Sequence, residues 1–173
     1  MGTNVGKFDS AVDRGKAYRV SKRQSIDDGQ EFTIHFIPAD DGQTLFIESP
    51  AIDPEELADI DIYENAEPNE GETNDDVYVH NMRYDVDAEN EEPDATVLRV
   101  NDSELDTANA DKTEETLVRQ GGEYQTPGGE ERRGLWRIIS GDETVTVVIT
   151  DRSGGNNNIC AFDTVIYEGL SWG

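Results

Sequence analysis

Apolar positions along the chain fall in short runs with a period of two. Ala17–Ser21, Phe32–Ile37, Leu45–Glu48, Ile60–Tyr63, Val77–Tyr84, Thr96–Val100, Leu135–Ile139, Val145–Thr150 and Ile159–Tyr167 are all rich in β-branched or aromatic residues, and most alternate. In Phe32–Ile37, for example, Phe32, Ile34 and Phe36 share one face and Thr33, His35 and Ile37 the other. About nine strands are expected on this pattern. Turn residues separate them: Pro38–Gly42, Ser140–Asp142 and Ser153–Asn158 read as hairpin connections.

Helical periodicity is scarce. Asp53–Leu57 (DPEEL) has an Asp cap, a Pro at the first helical position and early Glu residues, which predicts one helical turn, and a short helix is expected around Ala108–Leu117. The first is too short to be a crossover, and without crossover helices the sheets are expected to be mainly antiparallel: an all-β sandwich or barrel of about eight or nine strands. Glu64–Asp76, Asp87–Asp94, Asp102–Glu115 and the Gly-rich Gln120–Arg133 are acidic and polar and read as long surface loops.

A length of 173 residues suits one domain. Charge changes the picture more than size does, because 39 Asp and Glu against 14 Lys and Arg leave a net −25. A charge of that sign argues against free binding to DNA or to an anionic membrane by the molecule as a whole. Arg outnumbers Lys ten to four, while Asp and Glu are balanced at 20 and 19. Such a Lys-poor, carboxylate-covered chain fits molar salt, where a Debye length of about 3 Å removes the self-repulsion. The rival explanation is a low-salt protein with acidic disordered loops.

The charge is also unevenly placed. Residues 1–23 carry a net +4, so residues 24–173 carry −29. The reading is a basic N-terminal arm, 1–23, ahead of a sandwich domain, 24–173. Within the arm Arg14, Lys16, Arg19, Lys22 and Arg23 fall in ten residues with Tyr18 and Val20 between them, a pattern suited to an anionic surface such as lipid headgroups, nucleic acid or the acidic body of a neighbour. Equally compatible is that these residues form the first strand of the sandwich. No run approaches a membrane span, and no apolar signal-peptide core follows the first residues, so a soluble chain without an export signal is expected.

Catalytic chemistry finds little support. The two histidines, His35 and His80, lie on different strands without the H-x-H pair of a cupin-type metal site. Asp59-x-Asp61-x-Tyr63 and Asp85-x-Asp87-x-Glu89 begin like calcium loops but place Glu64 and Asn90 where a Gly is needed. The motifs of α/β-hydrolases, P-loops and dinucleotide folds are absent. No catalytic residue, metal ligand or cofactor is expected. Cys160, between Ile159 and Ala161, reads as a core thiol. Trp172, at the C-terminal edge, reads as an intersubunit anchor or as a residue tucked onto the sandwich.

The acidic, Lys-poor strand series from Phe32 to Tyr167, the arm to Arg23 and the C-terminus around Trp172 resemble the smaller, single jelly-roll major capsid protein of haloarchaeal icosahedral viruses with an internal membrane. The resemblance is one of architecture and composition. It implies a virion protein, assembled in the host cytoplasm, that forms capsomers with itself and a larger sister protein over a lipid vesicle. Lipid contact through the arm and no sequence-specific nucleic acid partner would follow. The alternative is a halophilic surface or spike sandwich that binds a glycan or protein receptor through the loops of 102–133.

Overall fold

The computed structural model describes residues 11–12, 14–39, 43–68, 73–74, 77–83, 93, 95–101, 105–106, 108–119 and 135–169. Fourteen strands lie among them: β1 (Ala17–Ile26), β2 (Glu31–Ile37), β3 (Leu45–Glu48), β4 (Ala51–Pro54), β5 (Ala58–Glu64), β6 (Glu67–Pro68), β7 (Thr73–Asn74), β8 (Tyr78–Asn81), β9 (Thr96–Asn101), β10 (Leu105–Asp106), β11 (Asp111–Val118), β12 (Leu135–Ile139), β13 (Val145–Asp151) and β14 (Asn158–Glu168).

Two antiparallel sheets pack face to face. Sheet I has the order β12-β3-β14-β1-β8, with β4 also paired to β14, and sheet II has the order β11-β5-β13-β2-β9-β7. The pairing is nested: β1 lies on β14, β2 on β13, β3 on β12 and β5 on β11. The first half of the chain therefore runs back along the second in reverse order, as one long hairpin rolled over on itself, which is the jelly-roll arrangement. β3 and β4 occupy one strand position along β14, β3 opposite Ile166–Glu168 and β4 opposite Cys160–Asp163. Pro50, which lacks an N–H, stands in the gap between them. Thr164 Oγ1 fills the gap by donating to the Glu48 carbonyl at 2.7 Å.

The core is what the period of two places inward. Tyr18, Val20 and Ile26 from β1, Phe32, Ile34 and Phe36 from β2, and Cys160, Phe162 and Ile166 from β14 belong to one cluster, joined by Ile60, Ile62, Val147 and Ile149. Phe36 and Phe162 meet across the two sheets with ring centroids 6.1 Å apart. β13 is buried along its whole length, and Thr33 and His35 are buried on the side of β2 away from the core. An uninterrupted run such as VTVVIT suits a strand covered on both faces.

Several local expectations are corrected. Asp53–Leu57 contains no helical turn: Ala51–Pro54 is strand β4, because Ile52 enters the core and the backbone pairs with β14. Ala108–Leu117 is not a helix either. Its residues from Asp111 form β11, which has no helical apolar stripe and completes sheet II against β5. Three connections expected to be hairpins join strands of different sheets, since β2, β3, β12, β13 and β14 alternate between sheets II and I. The stretches read as loops within 64–76 and 102–115 contain β6, β7 and β10 besides part of β11, while residues 120–133 lie outside the described ones.

Candidate functional site

Strand parity on β1 sends Tyr18, Val20, Gln24 and Ile26 inward and Ala17, Arg19, Ser21, Arg23 and Ser25 to the outer face of sheet I. From Ala17 onward the basic segment is thus a strand of the sheet, paired on both sides over Tyr18–Ser21. Arg14 lies in a turn just before it, and Lys16 is half-buried. That turn is fastened down: buried Asn81 donates through Nδ2 to the Gly15 carbonyl at 3.1 Å, and Glu168 N donates to the Lys16 carbonyl at 2.9 Å. Lys22 has inward parity and is half-buried, whereas Arg19 and Arg23 stand exposed on the outer face. The five basic residues are therefore not one cluster: the face keeps Arg19 and Arg23, four residues apart along β1. Trp172 lies outside the described residues.

Register builds the rest of this face. Tyr78, Ser21, Asp163 and Ala51 form one row across β8, β1, β14 and β4; Arg23, Ala161 and Asp53 form another. His80 is level with Arg19 and Val165. Arg19 reaches diagonally to Asp163, its Nε donating to Oδ1 at 3.0 Å and a second guanidinium nitrogen bonding Oδ2. That hydrogen bond and the carboxylate charge raise the already high pKa of Arg19. At one end of the face Ala11 and Val12 cover Ala17, Phe46 and Tyr167 in a second small core. The remainder is bare. A groove of about 450 Å³ runs between Tyr78, Ser21, Arg23, Ala161 and Asp163, and Tyr78 beside it is 74% exposed. Chemically this is a flat, mixed-charge face with one large aromatic and several small residues, suited to docking another surface.

The acidic repeat Asp59-x-Asp61 lies on β5, not in a calcium loop. Arg152 Nε donates to Asp59 Oδ2 at 2.6 Å, and Lys112 Nζ lies 3.6 Å from Asp61 Oδ1. Burial raises the Asp61 pKa, with Lys112 opposing it. The second repeat, from Asp85, is outside the described residues. Among the described residues no group of three or more His, Cys, Asp or Glu is placed to hold a metal ion, and no helix is long and apolar enough to cross a membrane. Burial, with the charges of Asp151, Asp53 and Glu55, pushes the Cys160 thiol up to about 12, so at neutral pH it is an inert packing group.

Sequence reasoning did not single out Tyr78 or Asp151, and it left the surroundings of His35 undetermined. Tyr78 is conspicuous only once β8 is placed on β1 and its ring is left in solvent. Asp151 is fully buried at the end of β13 and organises a loop junction. His35 is buried with Nδ1 hydrogen-bonded to Thr146 Oγ1 and with no partner for Nε2 among the described residues. Parity would have placed it beside Thr146 only if the β2–β13 register had been known.

His35 makes a measurable prediction. Burial pushes its pKa down from 6.5 to about 4. The unfolded chain thus takes up this proton first, and stability is lost as pH falls from about 6.5 to about 4, by at most about 3 kcal/mol. Urea unfolding at constant high salt, between pH 7 and pH 4, should show this loss in the native chain and not in His35→Gln. Parallel decline of both would clear His35 of responsibility.

No protein-family model, no curated protein and no solved structure matches the chain.

Proposed function

We propose that this chain is a structural shell subunit, a smaller jelly-roll capsid protein that assembles with copies of itself and a larger sister protein over a lipid membrane. The observation that carries the reading is the nested pairing of β1, β2, β3 and β5 with β14, β13, β12 and β11 in a chain of net charge −25. A rolled sandwich is rigid and leaves broad outer faces, which suits a lattice in which stability comes from neighbours. The mixed-charge face of sheet I supports it, with Arg19 and Arg23 exposed on β1 in a chain whose residues 24–173 carry −29. The charge also sets the condition for assembly, since like-charged copies approach only where salt screens them.

The test is light scattering after size-exclusion chromatography in about 3 M and about 0.2 M salt, a range that switches screening, with circular dichroism on each peak. A folded β protein that forms higher oligomers in high salt is expected. A compact monomer, equally folded in both, overturns the reading.

A further inference from the structure

The bare half of sheet I's outer face has a left–right charge asymmetry. On the β8–β1 side stand His80, Arg19 and Arg23; on the β14–β4 side stand Asp163 and Asp53. The row that carries the protruding Tyr78 ends on Ala51, which is small and exposed. Large and small side chains, base and acid, thus lie on a single face, as a self-complementary contact requires.

We propose that this face binds a second copy of the chain about a two-fold axis that runs parallel to the strands, between β1 and β14. Rotation about that axis keeps each row at its level and exchanges the two sides. β1 of one copy then lies over β14 of the other, and β8 over β4. Tyr78 of each copy comes down over Ala51, at the opposite end of the other's row. Arg23 of each copy comes over Ala161 and within reach of Asp53 of the other, on the neighbouring strand roughly 5 Å away. A two-fold axis perpendicular to the strands would instead set base on base and acid on acid, so the charges select the first orientation. Arg19 and Asp163 already pair within each chain, so another partner with an acidic face could meet Arg23 but would leave Asp53 unmatched, whereas a second copy matches both. The proposal rests on the assembly reading above and names the surface that assembly uses first.

Sedimentation equilibrium of the full chain tests it. The native chain and Tyr78→Ser are run in about 3 M salt, and the charge variants at the lowest salt at which the native chain still associates, so that the pair is not screened. Tyr78→Ser and Arg23→Glu are each expected to weaken the dimer roughly tenfold or more, as loss of a central anchor does. Combining Arg23→Glu with Asp53→Arg is expected to restore association, because the pair is exchanged across the axis. All three side chains are exposed, so circular dichroism and melting should match the native chain. Association unchanged in Tyr78→Ser and Arg23→Glu overturns this face while leaving the assembly reading standing. Failure of the charge exchange to restore the dimer overturns the two-fold pairing. A native chain that stays monomeric overturns both proposals.

Discussion

Replacing Trp136 with Ala should lower the unfolding free energy by roughly 3–5 kcal/mol. Trp136 is only 8% exposed and belongs to the main core cluster, although it sits on β12 at the rim of sheet I. A break in register puts it there: the β12–β3 ladder slips between Leu135 and Arg137, so that the extra residue turns into the sandwich. The next residue closes the seam. The Arg137 guanidinium lies 4.5 Å from the indole centroid, and its nitrogens reach Glu114 on β11 at 2.8 Å and Glu64 on β5 at 3.4 Å, which ties the rim of sheet I to that of sheet II. Truncation leaves a cavity under that bridge and removes the cation–π contact. Trp136→Phe should cost far less, about 1–2 kcal/mol, because the indole Nε1 is buried with no hydrogen-bond partner among the described residues and nothing polar is lost. Urea unfolding decides it, and a cost below about 1 kcal/mol for the Ala variant would mean that the ring is not a core residue.

An effect of similar size is expected at Asp151. Its buried carboxylate accepts from Ser153 N at 2.8 Å, Ser153 Oγ at 3.0 Å and Asn158 Nδ2 at 3.0 Å. Its backbone is engaged too, with Asp151 N donating to the Gln30 carbonyl and Gly29 N donating to the Asp151 carbonyl, each at 3.0 Å. Gly29, with φ of 80°, takes the left-handed conformation that this close approach of the β1–β2 turn needs. Asn158 in turn receives Glu56 N at 2.9 Å, so Asp151, through its backbone, its carboxylate and Asn158, ties together the β1–β2, β4–β5 and β13–β14 connections at one end of the sandwich. Asp151→Ala takes the acceptor from three donors. Of these the Asn158 amide is buried and keeps only the Leu57 carbonyl, at 3.4 Å, among the described residues, while the two of Ser153 are part-buried. At about 1–3 kcal/mol for each fully unsatisfied group, the loss is roughly 3–5 kcal/mol. Asp151→Asn keeps the shape but turns a donor toward donors, and should recover less than half of the loss. Calorimetry of both variants, with limited proteolysis in the 152–157 connection, checks this. A stable Ala variant with an uncut loop would show that the junction holds without its acceptor.

For assembly the consequence is a rigid platform. Both ends of β14 are pinned, by the Asp151–Asn158 junction at its start and by the Glu168 N bond to the Lys16 carbonyl at its finish. The rows that present Tyr78, Arg23, Asp53 and Asp163 therefore keep their levels, as a contact built on registered side chains requires.

Much of the fold was legible along the chain. β2, β3, β5, β9, β12, β13 and β14 fall where alternation and β-branching put them, and the inward set Phe32, Ile34 and Phe36 is the core face. Local signals failed where a short segment answered to a distant partner. DPEEL starts like a helix, yet Ile52 and the pairing with β14 hold Ala51–Pro54 extended; Asp111–Val118 is strand because β5 offers it an edge. The turns were legible as turns but not as passages between sheets.

What the sequence by itself determined is the all-β character, the alternation of runs such as Phe32–Ile37, the acidity and the apolar setting of Cys160, because each depends on residue chemistry and a period of two. Only the tertiary structure decided which strands are neighbours, and with that the candidate face. Ala17 meets Tyr167, and Phe36 meets Val145, across more than a hundred residues. Contacts at that separation are set by how a rolled hairpin closes its core as a whole, so no local window could place Tyr78, Arg23 and Asp53 on one surface or gather three loops around Asp151.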